Sequence, residues 1–141
     1  MNRENIKCDF AIVGGGLAGG LIALALAKMR PELKIVLIEQ GDSFGGNHIW
    51  SYFASDILPE HRWLTAPLVT YGWSGYEVRF PAHSRSLDNI YYTIESERLD
   101  WVLRNSLPAS ALMLGREVKA VSPRLVVLDG AQRINAGGVI D

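Results

Sequence analysis

Cys8 is the only cysteine among the 141 residues, so no internal disulfide can form. That suits a reducing cytoplasm. Three scattered histidines beside one cysteine argue against a metal site. No apolar run reaches the roughly 18 residues that a membrane-spanning helix needs. The first seven residues lead straight into a strand-like segment, which is not the pattern of a secretory signal. Charge of one sign is also missing: 14 Lys and Arg against 15 Asp and Glu give a net charge of −1, which argues against nucleic acid as a partner. No repeat or low-complexity stretch interrupts the chain.

What is present is ordinary for a globular protein. Hydrophobic residues make up 48% and charged residues 21%, which excludes disordered and collagen-like classes. The length predicts one domain over residues 1–141, burying roughly two-thirds of the surface of the unfolded chain.

Residues 8–13 (CDFAIV) are short, apolar and followed by glycines, as a buried parallel strand should be. Residues 17–29 are rich in Leu and Ala and predict a helix, apolar nearly all round and therefore packed on a sheet. Leu17, Leu21, Leu24 and Lys28 form one stripe of it. Pro31 ends it, because the residue before a proline disfavours helical geometry. Residues 34–39 (KIVLIE) read as a second buried strand. Strand, helix and strand make a βαβ unit of the expected size.

The intervening turn, Gly14-Gly15-Gly16-Leu17-Ala18-Gly19, satisfies G-x-G-x-x-G. Gly14 permits the tight exit from the strand, Gly16 lets the backbone approach a pyrophosphate, and Gly19 lets the helix pack closely. The helix N-terminus offers unpaired N–H groups, those of Leu17 and Ala18 among them, and a partial positive charge. Glu39 ends the second strand twenty residues after Gly19, with Gln40 beside it. Its carboxylate can accept from both hydroxyls of an adenosine ribose and would repel a 2′-phosphate, which disfavours NADP. The hexapeptide alone is a weak signal; strand, helix and distal acid together make it strong. The motif does not choose between NAD and FAD.

Residues 41–70 read as irregular, with the pair Gly45-Gly46 and then His48, Trp50, Tyr52, Phe53, His61 and Trp63. Strands are predicted at 76–80 and 89–94. Ser96 is placed as the cap of a helix running to Leu107, with Leu99, Val102 and Leu103 as its buried stripe. Short strands are predicted at 112–114, 117–122, 124–128 and 132–135, with Asp129-Gly130 as a hairpin turn. Residues 136–141 read as the beginning of a further strand.

The segment Gly45-Gly46-Asn47-His48-Ile49-Trp50-Ser51 resembles a signature of bacterial lycopene β-cyclases. So do His61-Arg62-Trp63, Ala66-Pro67-Leu68-Val69 and Tyr76-Glu77-Val78-Arg79-Phe80-Pro81, in matching order and spacing along nearly the whole chain. Ile49 departs from the threonine usual there. The wider flavoprotein group includes aromatic hydroxylases and geranylgeranyl reductases. In that group an Arg at a helix start contacts FAD, and Ser96-Glu97-Arg98-Leu99-Asp100 is similar to it. Residues 115–135 resemble the group's β-meander, whose backbone near Val118 approaches the adenine.

The resemblance implies an α/β, Rossmann-like FAD-binding βαβ unit with an inserted β-meander. It also implies that the chain is the N-terminal third of a cyclase, with the closing elements and most of the substrate domain beyond residue 141. The implied cofactor-binding set is the turn from Gly14 through Gly15, Gly16, Leu17 and Ala18 to Gly19, together with Glu39, Gln40, Arg98 and Val118. The implied reaction closes a ring at each end of lycopene to give β-carotene by acid–base carbocation chemistry. Reduced FAD serves as a non-redox cofactor and NAD(P)H as electron source, at the cytoplasmic side of the inner membrane. The catalytic acid is expected beyond residue 141. Glu95 and Glu97 lie at a helix start that favours the ionised form.

His48 is either an acid–base residue near the flavin or a hydrogen-bonded structural histidine. Trp50, Tyr52 and Phe53 either line a carotenoid tunnel or fill the core. His61 and His83 read as solvated loop residues, and Cys8 as a small core residue. Two other readings stay open: a flavin-dependent hydroxylase or reductase, and a cofactor-binding module without activity.

Overall fold

The computed structural model describes residues 5–141. Strand β1 (Ile6–Val13) feeds through the glycine turn into helix α1 (Leu17–Met29), which returns to β2 (Ile35–Ile38). β2 is buried at all four positions because both its faces are covered: Ile35 and Leu37 turn towards the helices, Val36 and Ile38 away from them. α1 packs Leu17, Leu21 and Leu24 against the sheet and ends at Met29, where Arg30 donates its N–H to Leu26 O just before Pro31.

A strand, β3 (Ile49–Phe53), and a short helix, α2 (Arg62–Thr65), follow. Then come β4 (Tyr71–Trp73), β5 (Tyr76–Phe80), β6 (His83–Leu87) and β7 (Tyr91–Glu95). The stretch predicted as irregular therefore carries the edge strand of a second, three-stranded antiparallel sheet in the order β3-β7-β4. β5 and β6 form a separate hairpin whose His83 is exposed at the start of β6, so His83 is a strand residue and not a loop one.

Helix α3 (Ser96–Ser106) buries the predicted stripe, with Leu99 and Leu103 at 0% exposure. Each such leucine contributes about 1.5–3 kcal/mol by leaving water. Ser96 is not the cap: Glu95 occupies that position without a side-chain capping bond, and Ser96 is the first helical residue. The α3 start is held instead by Ser96 N–H donating to His48 O at 3.1 Å.

After β8 (Leu112–Met113) the chain forms β9 (Val118–Ser122), β10 (Leu125–Leu128) and β11 (Arg133–Ile140). The main sheet runs β8-β2-β1-β11-β10-β9. Its first four strands are parallel and the meander β9-β10-β11 is antiparallel. The two strands expected at 132–135 and from 136 are one strand, which pairs with β1 from Ile6↔Ile134 to Ile12↔Ile140. The closing parallel strand is thus present. The Asp129-Gly130 turn is a three-residue 3-10 turn that includes Ala131, with φ of +65° at Gly130 and +59° at Ala131.

Two apolar clusters cover the two faces of the main sheet. One joins Ile12, Leu37 and Phe44 with α1 and α3; the other joins Ala11, Val36 and Ile38 with Val126, Leu128 and Ile134. Cys8 is half-buried against the second cluster, and burial pushes its thiol up from the ordinary value of 9.0, against the opposing pull of Lys34.

Candidate functional site

The glycine turn is fixed from three sides. Gly14, at φ +95°, donates its N–H to Ile38 O at 2.9 Å. This is a conformation that a side chain resists. Gly15 donates to Glu39 Oε2 at 2.9 Å, and Gly41 donates to Glu39 Oε1 at 2.8 Å. The carboxylate at the end of β2 therefore ties the turn to the loop that follows β2. Both its oxygens already accept a backbone N–H. Each retains a second lone pair for an incoming hydroxyl.

The glycines differ in what surrounds them. A Cβ on Gly15 would stand 2.5 Å from the Phe44 ring and 2.9 Å from Glu39 Cβ. A Cβ on Gly19 would strike the Gly14 carbonyl oxygen and approach Leu37 Cδ1 at 3.4 Å. At Gly16 nothing lies within 4 Å. That opening is where a ligand's phosphates can meet the backbone. Gly16 caps α1 without a side-chain bond, and the first turn of α1 holds no acid. The start of the helix, where Leu17, Ala18 and Gly19 sit, therefore keeps its N–H groups and partial positive charge for an anion.

A cleft of about 160 Å³ opens beside this turn, lined by Val13, Gly14, Ile38, Glu39, Gln40, Arg116 and Val118. Four predicted cofactor-binding residues thus meet there: Gly14, Glu39, Gln40 and Val118. Arg116 was not predicted. Its N–H donates to Glu39 O at 3.0 Å. Its guanidinium donates from Nε to Asp129 Oδ1 at 2.8 Å, from Nη1 to Gln132 Oε1 at 2.7 Å and from Nη2 to Asp129 O at 3.2 Å. Arg116 clamps the meander turn to the end of β2 and so sets the wall that carries Val118. The one sequence signal was the acid in the Asp129-Gly130 turn.

The loop of residues 41–48 joins the turn to α3. Gly45 donates to Gly15 O at 2.8 Å, and a Cβ on Gly45 would lie 3.0 Å from Ser96 Cβ. Phe44 donates to Asp100 Oδ1 at 2.8 Å, while Arg104 donates to Asp100 Oδ2 at 2.7 Å and to Asp42 O at 2.9 Å. Arg98 stands on this helix but does not line the cleft. Its Nε donates to Pro67 O at 2.8 Å, and its guanidinium lies 4.8 Å from the Trp101 ring centroid. His48 is exposed, 5.7 Å from the Trp50 ring. Of the other rings, Trp50 and Tyr52 pack against the main core cluster, whereas Phe53 turns to the opposite face of its strand.

With the turn, the acid and the meander wall in place, comparison with known proteins becomes specific. The family model described as lycopene cyclase protein matches residues 9–141. The chain belongs to the lycopene cyclase family. A lycopene β-cyclase of Pseudescherichia vulneris is 46% identical over 134 residues, which cover 94% of this chain and 34% of that protein. The chain thus spans about a third of the length of this curated relative. In solved structures the same fold recurs at low identity. A mutant of 2-methyl-3-hydroxypyridine-5-carboxylic acid oxygenase superposes with a TM-score of 0.69 at 16% identity, over 96% of this chain and 39% of that one. The rebeccamycin biosynthetic enzyme RebC, solved with reduced flavin, gives 0.63 at 16%, over 96% and 32%. The chain shares with them the mixed α/β, Rossmann-like architecture.

Proposed function

We propose that this chain is the FAD-binding portion of a lycopene β-cyclase. The observation that carries the proposal is the convergence of Gly14, Glu39, Gln40 and Val118 on one cleft beside the uncapped start of α1. The residues suit the cofactor. The open backbone at Gly16 suits a pyrophosphate, the spare lone pairs of Glu39 suit ribose hydroxyls, and the wall at Val118 suits an adenine. Arg98 donates through Nε to Pro67 O, and the rest of its guanidinium, stacked on Trp101, keeps donors for a phosphate.

The proposed reaction is an isomerisation. At each end of linear lycopene in turn, a carboxylic acid outside these residues adds a proton, a C–C bond closes the six-membered ring, and a different proton leaves; two such closures give β-carotene with no net oxidation. Reduced FAD, which the glycine turn and Glu39 would hold and NAD(P)H would keep reduced, would supply negative charge that stabilises the cation. This chain's own residues bind and orient the cofactor. Most of the substrate domain and the acid belong to the remainder of a relative-length protein, and the segment by itself is catalytically silent.

No helix among the described residues is long and apolar enough to cross a membrane. Lycopene dissolves in bilayers, so the proposed contact with the inner membrane is peripheral. The test replaces the matching third of the Pseudescherichia vulneris relative with this chain in lycopene-accumulating cells. β-Carotene is expected. Lycopene persisting beside an abundant, FAD-loaded chimera would contradict the proposal. A product of changed mass would point instead to a flavin hydroxylase or reductase, the reading that the oxygenase fold similarity favours.

A further inference from the structure

We propose that Asp100 is a positioning residue of the dinucleotide site, acting through Phe44 and Gly45 to fix the peptide that carries the Gly16 N–H; this rests on the cofactor reading above. Gly15 is pinned at both its polar groups. Its N–H donates to Glu39 Oε2 at 2.9 Å, and its carbonyl oxygen accepts the Gly45 N–H at 2.8 Å. The Gly15 carbonyl and the Gly16 N–H belong to one planar trans peptide and point in opposite directions. The bond from Gly45 therefore sets where the Gly16 N–H points, beside the open space next to Gly16.

Gly45 does not hold that bond by itself. Gly45 and Gly46 sit at φ +83° and +61°, where glycine is permissive and does not fix its own conformation. The loop takes its shape from α3. At one end the Phe44 N–H donates to Asp100 Oδ1 at 2.8 Å, and at the other the Ser96 N–H donates to His48 O at 3.1 Å. Between these grips Gly45 lies against α3, so close that a Cβ on it would stand 3.0 Å from Ser96 Cβ.

Asp100 does more than balance a surface charge. An exposed ion pair one helical turn long contributes little. Here only one carboxylate oxygen faces Arg104, at 2.7 Å, while the other reaches a backbone amide 56 residues away in the sequence. Arg104 completes the grip. Its Nη2 donates to Asp42 O at 2.9 Å, and its guanidinium lies 5.9 Å from the Phe44 ring centroid. That ring is 1% exposed and packs against the turn, 2.5 Å from where a Cβ on Gly15 would stand. Held at its N–H, Phe44 carries both its ring and the neighbouring Gly45 amide to Gly15. Asp100 thus does for the Gly15 carbonyl what Glu39 does for its N–H.

The test follows FAD affinity, by quenching of flavin fluorescence, and amide hydrogen exchange at single residues, on the whole chain and its variants. Asp100→Ala should weaken FAD binding about ten-fold, as the loss of a hydrogen bond to a charged group implies. Exchange should accelerate at Phe44 and Gly45, while Ala11 and Leu37 in the main sheet keep the parent rates. Asp100→Asn keeps an acceptor for the Phe44 N–H and should bring affinity back to within about three-fold of the parent. Val102→Ala removes core volume from the same helix and lowers the thermal midpoint, yet should leave FAD affinity within about two-fold.

Parent-like FAD affinity in Asp100→Ala would overturn the proposal. So would an equal loss in Val102→Ala, or faster exchange spread evenly over the sheet, since either marks a role in stability alone. Should Asp100→Ala fail to fold, Arg104→Met at the more exposed partner carries the test. Affinity about three-fold lower with faster exchange at Phe44 supports the proposal, and parent-like values of both overturn it. A parent chain that takes up no FAD contradicts the cofactor reading and takes the proposal with it. A parent that binds FAD beside an Asp100→Ala variant that binds it equally well contradicts the proposal alone.

Discussion

The Glu39 carboxylate accepts the N–H of Gly15 at 2.9 Å, so the acid expected to face a ribose also holds the glycine turn in shape. Through its other oxygen it holds Gly41 as well. One residue thereby links the two ends of the proposed cofactor site.

Replacing that acid separates the roles of charge and shape. Glu39→Gln keeps the length but sets an amide N–H₂ against one of the two backbone donors. Hydrogen bonds to charged groups contribute about 1.5–3 kcal/mol. A destabilisation of that order is expected in urea titrations, with FAD affinity reduced at least about ten-fold. Unchanged midpoints would show that the two bonds do not hold the turn.

Gly15 and Gly16 should respond oppositely to alanine. At Gly15 the new methyl meets the Phe44 ring and Glu39 Cβ, and overpacking of this kind costs about 1–3 kcal/mol. At Gly16 the methyl enters open space at φ −76°, which alanine tolerates. Thermal midpoints should fall for Gly15→Ala and stay within about 1 °C for Gly16→Ala. FAD binding should be lost in the second variant despite its intact fold.

The clamp on the meander gives a third expectation. Arg116 is 16% exposed and Asp129 38% exposed in their side chains. Arg116→Met leaves the Asp129 carboxylate facing an apolar chain. A loss of about 1–3 kcal/mol is expected, together with weaker FAD binding because the Val118 wall is no longer fixed. Arg116→Lys restores the charge but not the three-point geometry, and should recover only part of the affinity.

Cys8 titrates above its ordinary value because burial disfavours the thiolate. The folded state therefore prefers the protonated form. The resulting contribution to stability is complete below the ordinary value of 9.0 and is lost as pH rises through the folded value. Alkylation by iodoacetamide at pH 8.5 should be slower in the folded chain than in urea, with the gap closing at higher pH. Equal rates in both states would contradict this.

Much of this architecture could be read along the chain. The run from β1 through α1 to β2 is local, and each element has its own apolar pattern. The α3 stripe of Leu99, Val102 and Leu103 follows helical spacing, and the meander strands stand out as short apolar runs around the Asp129-Gly130 turn. Of the β3-β7-β4 sheet, β7 was legible at 89–94, but β3 and β4 were hidden for a physical reason. In Ile49-Trp50-Ser51-Tyr52-Phe53 both faces carry rings, so the period of two vanishes, and Tyr71-Gly72-Trp73 is too short to show one. β6 is polar and exposed at four of its five positions. At the site, the glycine spacing and Glu39 were legible because backbone geometry demands them. The bond from Glu39 to Gly15 and the grip of Arg116 on Asp129 join residues distant in sequence. Only folding brings them together.

The most direct test of the central claim is an equilibrium titration of the purified chain with FAD, followed by quenching of flavin fluorescence, with Gly16→Ala alongside. The account predicts saturation at one FAD per chain, no competition from NADP, and loss of binding in Gly16→Ala without a change in thermal midpoint. A parent chain that takes up no FAD, or a variant that binds it equally well, would contradict the account.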